Sequence, residues 1–293
     1  MNLAAELAYI ITRAKSFTFR LVHKNILNVM PHLIALFTPL GWITALLSGL
    51  RLFGARGLRN LLNPLWSITL ANLVIKKVGE NRFLAYSPLK KIKFLADNWD
   101  AVYIFYHVWL CRDYERFVKP KGIVVDCGAH IGLFTLRCLK SLHTTFVIAI
   151  EPNPLNARLL RANLLMNGAD RFLIIEAAAG SSNDEVKLYL NDLSSRSSIV
   201  KKTARYIRVK QVKLDDVIPT LAQHVDFIKI DVEGAELEVL RGASELIKRD
   251  KPVMVIETQM ENLCEIADFL RNKGYQVYVS HFGGLHLVCL PHG

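Results

Sequence analysis

The segment from residue 123 to residue 142 holds the first residues whose types and spacing could do chemistry. Asp126 lies shortly before Gly128, and Gly132 follows in the same loop. Glycine suits a point where a strand turns sharply into a helix while a ligand approaches the backbone. A dinucleotide site would have the spacing G-x-G-x-x-G, which seats a pyrophosphate on the helix N-terminus. This loop lacks that spacing, and the carboxylate of Asp126 repels a diphosphate but attracts an ammonium group.

A second carboxylate, Glu151, follows at the end of the next predicted strand. In nucleotide-binding α/β folds, an acid at that place accepts hydrogen bonds from ribose hydroxyls. A ligand with a ribose and an amino-acid-like cation, and with no phosphate between them, fits S-adenosylmethionine better than NAD. The sequence therefore predicts an S-adenosylmethionine site that contains Asp126, Glu151 and the glycine loop between them.

Acidic residues also end the later predicted strands, in the order Glu176, Asp231 and Glu257. Asp231 and Glu233, which lie at a glycine turn, are the predicted catalytic residues, and either could act as general base for a hydroxyl nucleophile. The pair could instead bind a divalent cation that lowers the pKa of the hydroxyl. A metal is thus an open alternative, but no metal-ligand spacing indicates one.

Three neighbouring features have a structural and a functional interpretation. Glu236 is expected in the first turn of a helix, where a carboxylate favours the helix dipole. His130 is an alternative base, although local hydrogen bonding is the commoner role of a loop histidine. The segment 194–198 is either a solvated polar turn or a cover for the acceptor. The basic run after it forms either a solvated strand face or a contact with an anionic acceptor, and it consists of Lys201, Lys202, Arg205 and Arg208.

Hydrophobic periodicity predicts the elements that position these residues. Short apolar strands alternate with helices from residue 122 onward, which predicts an α/β fold: a Rossmann-like, mostly parallel seven-stranded sheet covered by helices on both faces. The closing hairpin predicts an antiparallel last strand at the sheet edge. The predicted helices cover residues 131–142, 154–167, 236–248 and 261–273, and the predicted strands cover 123–126, 146–151, 172–177, 186–190, 206–214, 227–231, 253–257, 276–280 and 285–290.

The formal net charge of +11 is concentrated in the N-terminal part of the chain. Residues 1–120 contain 16 Lys and Arg against 6 Asp and Glu, whereas residues 121–293 are nearly neutral. Basic residues flank an uncharged apolar run over residues 25–50, which is typical of an element that spans or lies in an anionic membrane face. The alternative is a helical domain whose apolar faces pack on the rest of the chain. Binding to nucleic acid is not expected, because the cations do not alternate with aromatic residues.

These patterns predict three regions. Residues 1–80 form a hydrophobic, basic, mainly helical region associated with a membrane, residues 81–120 form a helical and aromatic connecting segment, and residues 121–293 form the α/β domain. Hydrophobic residues make up 52% of the chain, which argues against intrinsic disorder. The five cysteines are scattered and never spaced as C-x-x-C, so neither a disulfide framework nor a zinc site is predicted.

Five segments of the domain together resemble a known family. They read VVDCGAHIGLFTL, AIEPNP, VKLDDV, DFIKIDVEGAELEVLRGA and VIE, in this order. The chain resembles the FkbM family of S-adenosylmethionine-dependent methyltransferases over about residues 100–290. The resemblance implies a class I methyltransferase sheet and O-methylation, often of sugar hydroxyls in glycans or glycosylated natural products.

The resemblance also implies roles for individual residues. Asp126, Gly128 and Gly132 would line the methionine end of the cofactor, and Glu151 would bind its ribose. The remaining cofactor-binding predictions are His130, which stands where the family frequently has Asn, Asn153, and the backbone around Ala177 and Ala178 at the adenine edge.

The predicted function is therefore methylation of a hydroxyl on a sugar, glycan or lipid-linked acceptor, by a membrane-associated enzyme whose catalytic domain lies in the cytoplasm. One alternative is an RNA methyltransferase. Against it, the C-terminal half is nearly neutral and lacks the [D/N]-P-P-[Y/F] motif after its fourth predicted strand. The other alternative is a catalytically silent, membrane-tethered scaffold that keeps the cofactor-binding fold. The sequence carries no signal for an oligomeric state.

Overall fold

The structure, a computed structural model, describes residues 43–45, 47–48, 72–79, 82–116, 118–141, 143–191, 197–280 and 284–292. The chain divides into two compact units, Met1–Cys111 and Arg112–Gly293. The membrane prediction for residues 25–50 lies almost entirely outside the described residues. Among those that are described, no helix is long and apolar enough to cross a bilayer.

The first unit contains a small antiparallel sheet. Its strands are β1 (Val74–Lys77), β2 (Phe83–Ser87) and β3 (Ile92–Ala96), in that order. Buried and partly exposed side chains alternate along β2 and β3, with Phe83 and Phe94 on the buried face. The sequence predicts a helical, aromatic segment over residues 81–120 and does not anticipate this sheet, because each strand is short. Helix α1 (Asp100–Phe105) follows and continues as a π-helical turn, Tyr106–Cys111.

The second unit alternates strands and helices. Its strands are β4 (Lys121–Cys127), β5 (His143–Ile150), β6 (Phe172–Ile175), β7 (Ala178–Ala179), β8 (Glu185–Tyr189), β9 (Tyr206–Val212), β10 (Phe227–Ile230), β11 (Val253–Glu257), β12 (Tyr275–Ser280) and β13 (His286–Pro291). Its helices are α2 (Leu133–Ser141), α3 (Pro154–Met166), α4 (Leu214–Val217), α5 (Glu236–Arg241), α6 (Ser244–Asp250) and α7 (Met260–Arg271), with short 3₁₀ turns at Asp113–Glu115 and Ile218–Thr220.

Seven strands form the main sheet, in the order β12-β13-β11-β10-β4-β5-β6. Strands β4, β5, β6, β10 and β11 are parallel, and β13 is antiparallel to both of its neighbours. The predicted mostly parallel, seven-stranded α/β sheet with an antiparallel last strand is confirmed. Along the chain, β5 and β6 lie on one side of β4 and β10 and β11 on the other, so the strand order reverses between β4 and β10. In such sheets a crevice for ligands opens beyond the strand ends at this point.

Two details of the sequence prediction are wrong. The last strand, β13, is not at the sheet edge but lies between β11 and β12, because its apolar residues are buried whereas most of β12 is partly or fully exposed. The helix predicted over residues 236–248 is two helices, α5 and α6. The helix is interrupted at Gly242, where an added Cβ would lie 1.9 Å from the backbone oxygen of Gly180. The break lets the Gly242 carbonyl accept a hydrogen bond from the Asp215 N–H.

An apolar cluster packs along the parallel strands, and Val125, Ile148 and Ile228 have no exposed surface within it. Helix α2 packs against α3, while α5 packs against α7 and α6 against α4. Strands β7, β8 and β9 form a second sheet of three strands. These layers hold the carboxyl ends of the parallel strands in fixed register, and the loops that follow those ends carry the predicted site.

Candidate functional site

The parallel strands end in one row. Their registers align Cys127 with Ile150 and Ile230, and they continue to Ile175 on one side and Ile256 on the other. The residues that come next are Gly128, Glu151, Glu176, Asp231 and Glu257. The strand-end acids therefore share one rim of the sheet, as the sequence indicates. Asp126 differs, because it lies inside β4 and is paired in register with Lys229.

The loop from Gly128 to Gly132 is held in an unusual backbone conformation. Gly128, His130 and Gly132 have φ values of +78°, +51° and +85°. A Cβ at Gly128 would lie 1.8 Å from the backbone oxygen of Asp231, so only glycine lets these two loops approach. His130 takes a conformation that histidine tolerates better than most residues. The two glycines thus let this loop pack closely against Asp231 and Leu160 at the point where strand order reverses.

Glu151 anchors the same loop. Its Oε2 accepts a hydrogen bond from the His130 N–H at 2.8 Å, and its Oε1 accepts from the Asn153 N–H at 2.9 Å and from Asn156 Nδ2 at 3.2 Å. A carboxylate has about four acceptor positions, and three are filled here by described residues. Burial raises the pKa of Glu151, and these hydrogen bonds oppose the rise. One acceptor position on Oε2 is left for a ligand hydroxyl.

Asp126 has no exposed surface. Its Oδ2 accepts a hydrogen bond from Thr135 Oγ1 at 2.6 Å, and its Oδ1 lies 3.3 Å from the ammonium of Lys229. The sequence predicts that the Asp126 carboxylate attracts the ammonium group of a ligand. In the structure, the ammonium beside Asp126 belongs to Lys229. A fully buried side chain does not contact a ligand without rearrangement, so the structure places Asp126 behind the loop.

Lys229 links the two central strands at the rim. Its Nζ donates to the Gly128 carbonyl at 2.8 Å and lies 3.3 Å from both Asp126 Oδ1 and Asp231 Oδ2. Burial alone lowers the pKa of this amine, but the two carboxylates outweigh burial and raise the pKa above its usual value. Lys229 therefore stays a cation, as a buried charge with two opposite partners should.

Asp231 lies in a cluster of side chains that come from distant parts of the chain. The Tyr114 hydroxyl lies 2.9 Å from Asp231 Oδ2 and 2.8 Å from Glu257 Oε2. Glu257 Oε2 in turn lies 3.4 Å from His286 Nε2. Both contacts of Asp231 with described residues fall on Oδ2. About a quarter of the side chain is exposed, at 26%, and neither of these contacts uses Oδ1.

The charges around Asp231 shift its titration. Burial raises the pKa of Asp231 to about 7, with Glu257 and Glu233 adding to the rise and Lys229 and the Tyr114 hydrogen bond opposing it. A carboxyl that titrates near neutral pH suits general base catalysis. Burial also raises the pKa of Glu257, but His286, the Tyr114 hydrogen bond and Lys229 together outweigh burial and bring this pKa below its usual value.

The other predicted site residues have different surroundings. Glu233 has φ +57° and forms an ion pair with Lys201 at 2.9 Å. Glu236 lies in the first turn of α5, and its Oε1 accepts from the Gly234 N–H. Asn153 caps α3 through a hydrogen bond from the Leu155 N–H at 3.0 Å, so its side chain already has a structural role. Ala177 and Ala178 are buried, and only their backbone groups are suited to contact a ligand.

The part of the chain that the structure describes holds no group of three or more His, Cys, Asp or Glu side chains arranged for a metal ion. At Asp231 the donor set itself disfavours a cation, because the Lys229 ammonium already lies 3.3 Å from Oδ2.

Comparison with known proteins decides the family. The sequence model of the methyltransferase FkbM domain matches residues 126–277, which is about half of the chain. The chain belongs to the FkbM methyltransferase family. The match includes Asp126, Glu151 and Asp231, whereas Tyr114 and His286 lie outside it. The resemblance stated from the five sequence segments is confirmed.

Individual relatives are distant. Methyltransferase sdnD of Sordaria araneosa is 27% identical over 231 residues, which cover 66% of this chain and 86% of that protein. Methyltransferase 1 of Beauveria bassiana is 25% identical over 200 residues, which cover 58% of this chain and 78% of that protein. A solved FkbM methyltransferase from Methylobacillus flagellatus is 22% identical, with a TM-score of 0.47, and the alignment covers 65% of this chain and 53% of that one.

Sequence reasoning missed part of this FkbM site. Lys229 could have been found, because a lysine inside an otherwise apolar strand needs buried anionic partners. Glu257 is noted from the sequence as a strand-end acid but receives no role. Tyr114 gives no local signal, since it lies among other aromatic residues before the first domain strand. His286 carries no functional signal in the sequence, and only the structure shows that it contacts Glu257 at the rim.

Proposed function

We propose that this chain is an S-adenosylmethionine-dependent methyltransferase that methylates a hydroxyl on a sugar, glycan or lipid-linked acceptor. The observation that carries the proposal is the meeting of two loops at the reversal of strand order. Gly128, in the loop suited to the cofactor, packs directly against the backbone of Asp231, the candidate base. A methyl donor and a hydroxyl held on these two loops would be neighbours, which is what an in-line transfer requires.

The residues of the first loop fit the proposed cofactor. The free acceptor position of Glu151 would hold a ribose hydroxyl, and the backbone of Gly128–Gly132 would line the methionine end. The backbone at Ala177 and Ala178 would border the adenine. Asp126 would act indirectly, by holding Lys229 and through it the Gly128 carbonyl. His130 and Asn153 would act mainly through their backbone N–H groups, which donate hydrogen bonds to Glu151 and so hold its carboxylate in place.

When bound, S-adenosylmethionine supplies a methyl group on a positively charged sulfur, and the sulfur keeps the bonding electrons as the group leaves. The protein then has to orient the acceptor and take its proton. Asp231 is the proposed base, because neither of its contacts with described residues uses Oδ1 and burial raises its pKa to about 7. Glu233 is the weaker candidate, since an ion pair with Lys201 holds its carboxylate.

Binding of the cofactor is tested by calorimetry, which needs no acceptor. We expect the purified wild-type protein to bind S-adenosylmethionine and Glu151→Ala to bind it about tenfold more weakly or worse, since a hydrogen bond to a charged group is worth about 1.5 to 3 kcal/mol. Asp170→Ala removes a carboxylate that is 87% exposed before β6 and serves as the matched control. Thermal melting of each variant verifies folding. Absence of binding to the wild type, or equal affinity in Glu151→Ala, would refute the proposal.

The acceptor is tested with methyl-labelled S-adenosylmethionine and panels of glycans, lipid-linked sugars and RNA. A hydroxyl acceptor gives a methyl ether, which survives mild alkali, whereas a methyl ester is hydrolysed. Label in RNA would favour the first alternative function. Cofactor binding with no S-adenosylhomocysteine formed from any panel or cell extract would favour the silent scaffold.

We further propose that the region before residue 80 associates with a membrane. The support is the sequence alone: an uncharged apolar run over residues 25–50 with basic residues on both sides. Carbonate extraction of membranes that carry the full-length chain tests the proposal. Retention in the membrane pellet is expected, and release of the whole chain at high pH would contradict integral anchoring.

A further inference from the structure

The Tyr114 hydroxyl occupies an unusual place between two carboxylates. Its oxygen is within hydrogen-bond distance of Asp231 Oδ2, at 2.9 Å, and of Glu257 Oε2, at 2.8 Å. A phenol has one hydrogen and therefore donates fully to one partner only. If both carboxyls were ionised, the second contact would join two acceptors that repel each other. Both contacts are satisfied when the cluster contains two hydrogens, one on the phenol and one on a carboxyl, which is its state after the ionised cluster has taken up one proton.

The surroundings indicate which carboxyl holds the second hydrogen. Glu257 faces the imidazole of His286, whose pKa is lowered by burial but raised further by Glu257, so that it ends above its usual value. The groups that face Asp231 are the Lys229 ammonium, the Glu257 and Glu233 carboxylates and the Tyr114 hydroxyl, and His286 is farther along the cluster. Together with burial they favour the protonated form of Asp231 at pH values below about 7.

The cluster also connects the interior to water. The side chain of Glu257 is 38% exposed, whereas Tyr114 and His286 are buried. The ring of Tyr114 is held by edge contacts with Phe134 and His286, each with a centroid distance of 5.3 Å. The hydroxyl between the two acids is therefore fixed in place, while the acid at the far end can exchange protons with solvent. An acceptor bound at Asp231 would cover the exposed part of that residue. Protons would then be released to water from Glu257.

We propose that Asp231, Tyr114 and Glu257 form a proton path in which Tyr114 is a positioning residue that passes the acceptor's proton from Asp231 to Glu257. The proposal rests on the proposed function of Asp231 as base. As the acceptor oxygen forms its bond to the methyl carbon, the acceptor O–H bond breaks and the proton goes to Asp231. The protonated carboxyl of Asp231 then rotates so that its O–H faces the Tyr114 oxygen. Tyr114 receives this proton while it gives its own hydrogen to Glu257. Glu257 releases that proton to water, so the cluster returns to its starting state.

The proton path is tested without any cofactor or acceptor, by infrared difference spectroscopy of the purified full-length protein titrated from pH 4 to pH 9. A protonated carboxyl absorbs apart from a carboxylate. We expect a carboxyl that titrates near pH 7 in the wild type and disappears in Asp231→Asn. Because the readout needs no methyl transfer, its failure is distinguishable from failure of the calorimetry that tests cofactor binding.

Two variants then test whether the contacts with Tyr114 and Glu257 control the protonation of Asp231, which the proton path requires. Tyr114→Phe removes a hydrogen bond that favours the ionised form of Asp231, so its midpoint should rise by about one pH unit. Glu257→Gln removes a neighbouring negative charge, so the midpoint should fall by about the same amount. Glu265→Gln, at an acid that is 65% exposed in α7, is the matched control and should leave the midpoint unchanged.

A midpoint that rises in Tyr114→Phe and falls in Glu257→Gln would support the proposed proton path. No carboxyl titrating near pH 7, shifts in the same direction, or no shift in either variant would overturn it. If Tyr114→Phe does not fold, as judged by its melting curve, Glu257→Gln and Asp231→Asn still decide. A wild-type midpoint that Glu257→Gln fails to lower would then reject the path.

Discussion

The two sides of the rim are built in different ways. On the cofactor side, which we define as the loop Gly128–Gly132 with Glu151, contacts run mainly through backbone N–H groups and through glycines with positive φ. On the acceptor side, defined as Tyr114, Asp231, Glu257 and His286, contacts run between side chains that are far apart in the chain. Lys229 joins the two sides through the Gly128 carbonyl and Asp231.

This difference separates two tasks. A backbone loop keeps its shape when neighbouring side chains change, which suits a constant ligand such as a cofactor. A cluster of side chains can adjust both its shape and its protonation, which suits a reacting hydroxyl whose proton must leave. Substitutions on the cofactor side should therefore act on binding or folding, and substitutions on the acceptor side should act on the chemical step and its pH dependence.

The largest effect should come from Asp231→Asn. Loss of a general base typically lowers the rate by about 10² to 10⁴-fold, so methyl transfer should fall by that factor while calorimetry still detects cofactor binding. The wild-type rate should rise as the pH rises through about 7, because only the ionised carboxylate takes a proton. Single-turnover kinetics over this pH range measures both.

The matched variant for Asp231→Asn is Glu233→Gln, which lies in the same loop. It should lose less than about tenfold, because the Glu233 carboxylate is held by Lys201 and is the weaker candidate for base. Equal losses in the two variants, or a loss of cofactor binding in Asp231→Asn, would contradict a division of the rim into two sides.

A second large effect is expected at Lys229, which joins the two sides. Removing one member of a buried ion pair typically costs about 3 to 5 kcal/mol, and the side chain of Lys229 is only 4% exposed between two carboxylates. Lys229→Gln should therefore lower the free energy of unfolding by about that amount in urea denaturation. A loss below about 1 kcal/mol would mean that the two carboxylates tolerate each other without the ammonium.

Most of the fold could be predicted from the sequence, because its elements carry local signals. The strands β4, β5, β10 and β11 are short apolar runs, and α3 begins with Pro154 and ends before Gly168. The place of β13 inside the sheet could not be predicted, since pairing order depends on contacts between distant segments. The sheet β1–β3 was missed because strands of four or five residues carry too little periodicity.

The site residues likewise divide into those that the sequence predicts and those that it does not. Gly128, Gly132 and Glu151 lie in adjacent strand-end segments, so spacing alone identifies them. Tyr114 lies far from Asp231 in the sequence, and only the folded chain brings its hydroxyl to 2.9 Å from that carboxylate. The burial of Asp126 was likewise hidden, because the sequence does not reveal that Lys229 stands opposite it in the neighbouring strand.

A smaller effect should follow from Gly128→Ala. The added Cβ would meet the Asp231 backbone oxygen at 1.8 Å, in a residue with φ +78°. Overpacking and backbone strain together should cost about 3 kcal/mol. Gly168→Ala is the matched control, since its φ is +71° but nothing lies within 4 Å of its Cβ, and backbone strain alone should cost about 1 kcal/mol. Urea denaturation compares the two, and equal losses would show that the two loops separate easily.

The smallest effect should come from Lys201→Gln, and it sharpens the contrast with Lys229. Both lysines pair with an acid of the same loop, but the side chains of Lys201 and Glu233 are 44% and 27% exposed. Water screens such a pair, so its loss should cost less than about 1 kcal/mol and should shrink further in high salt. Denaturation at low and high salt measures this difference. A cost as large as that of Lys229→Gln would mean that the Lys201–Glu233 pair stabilises the loop after β10 as much as the buried contacts of Lys229 do. Glu233 would then be a structural residue.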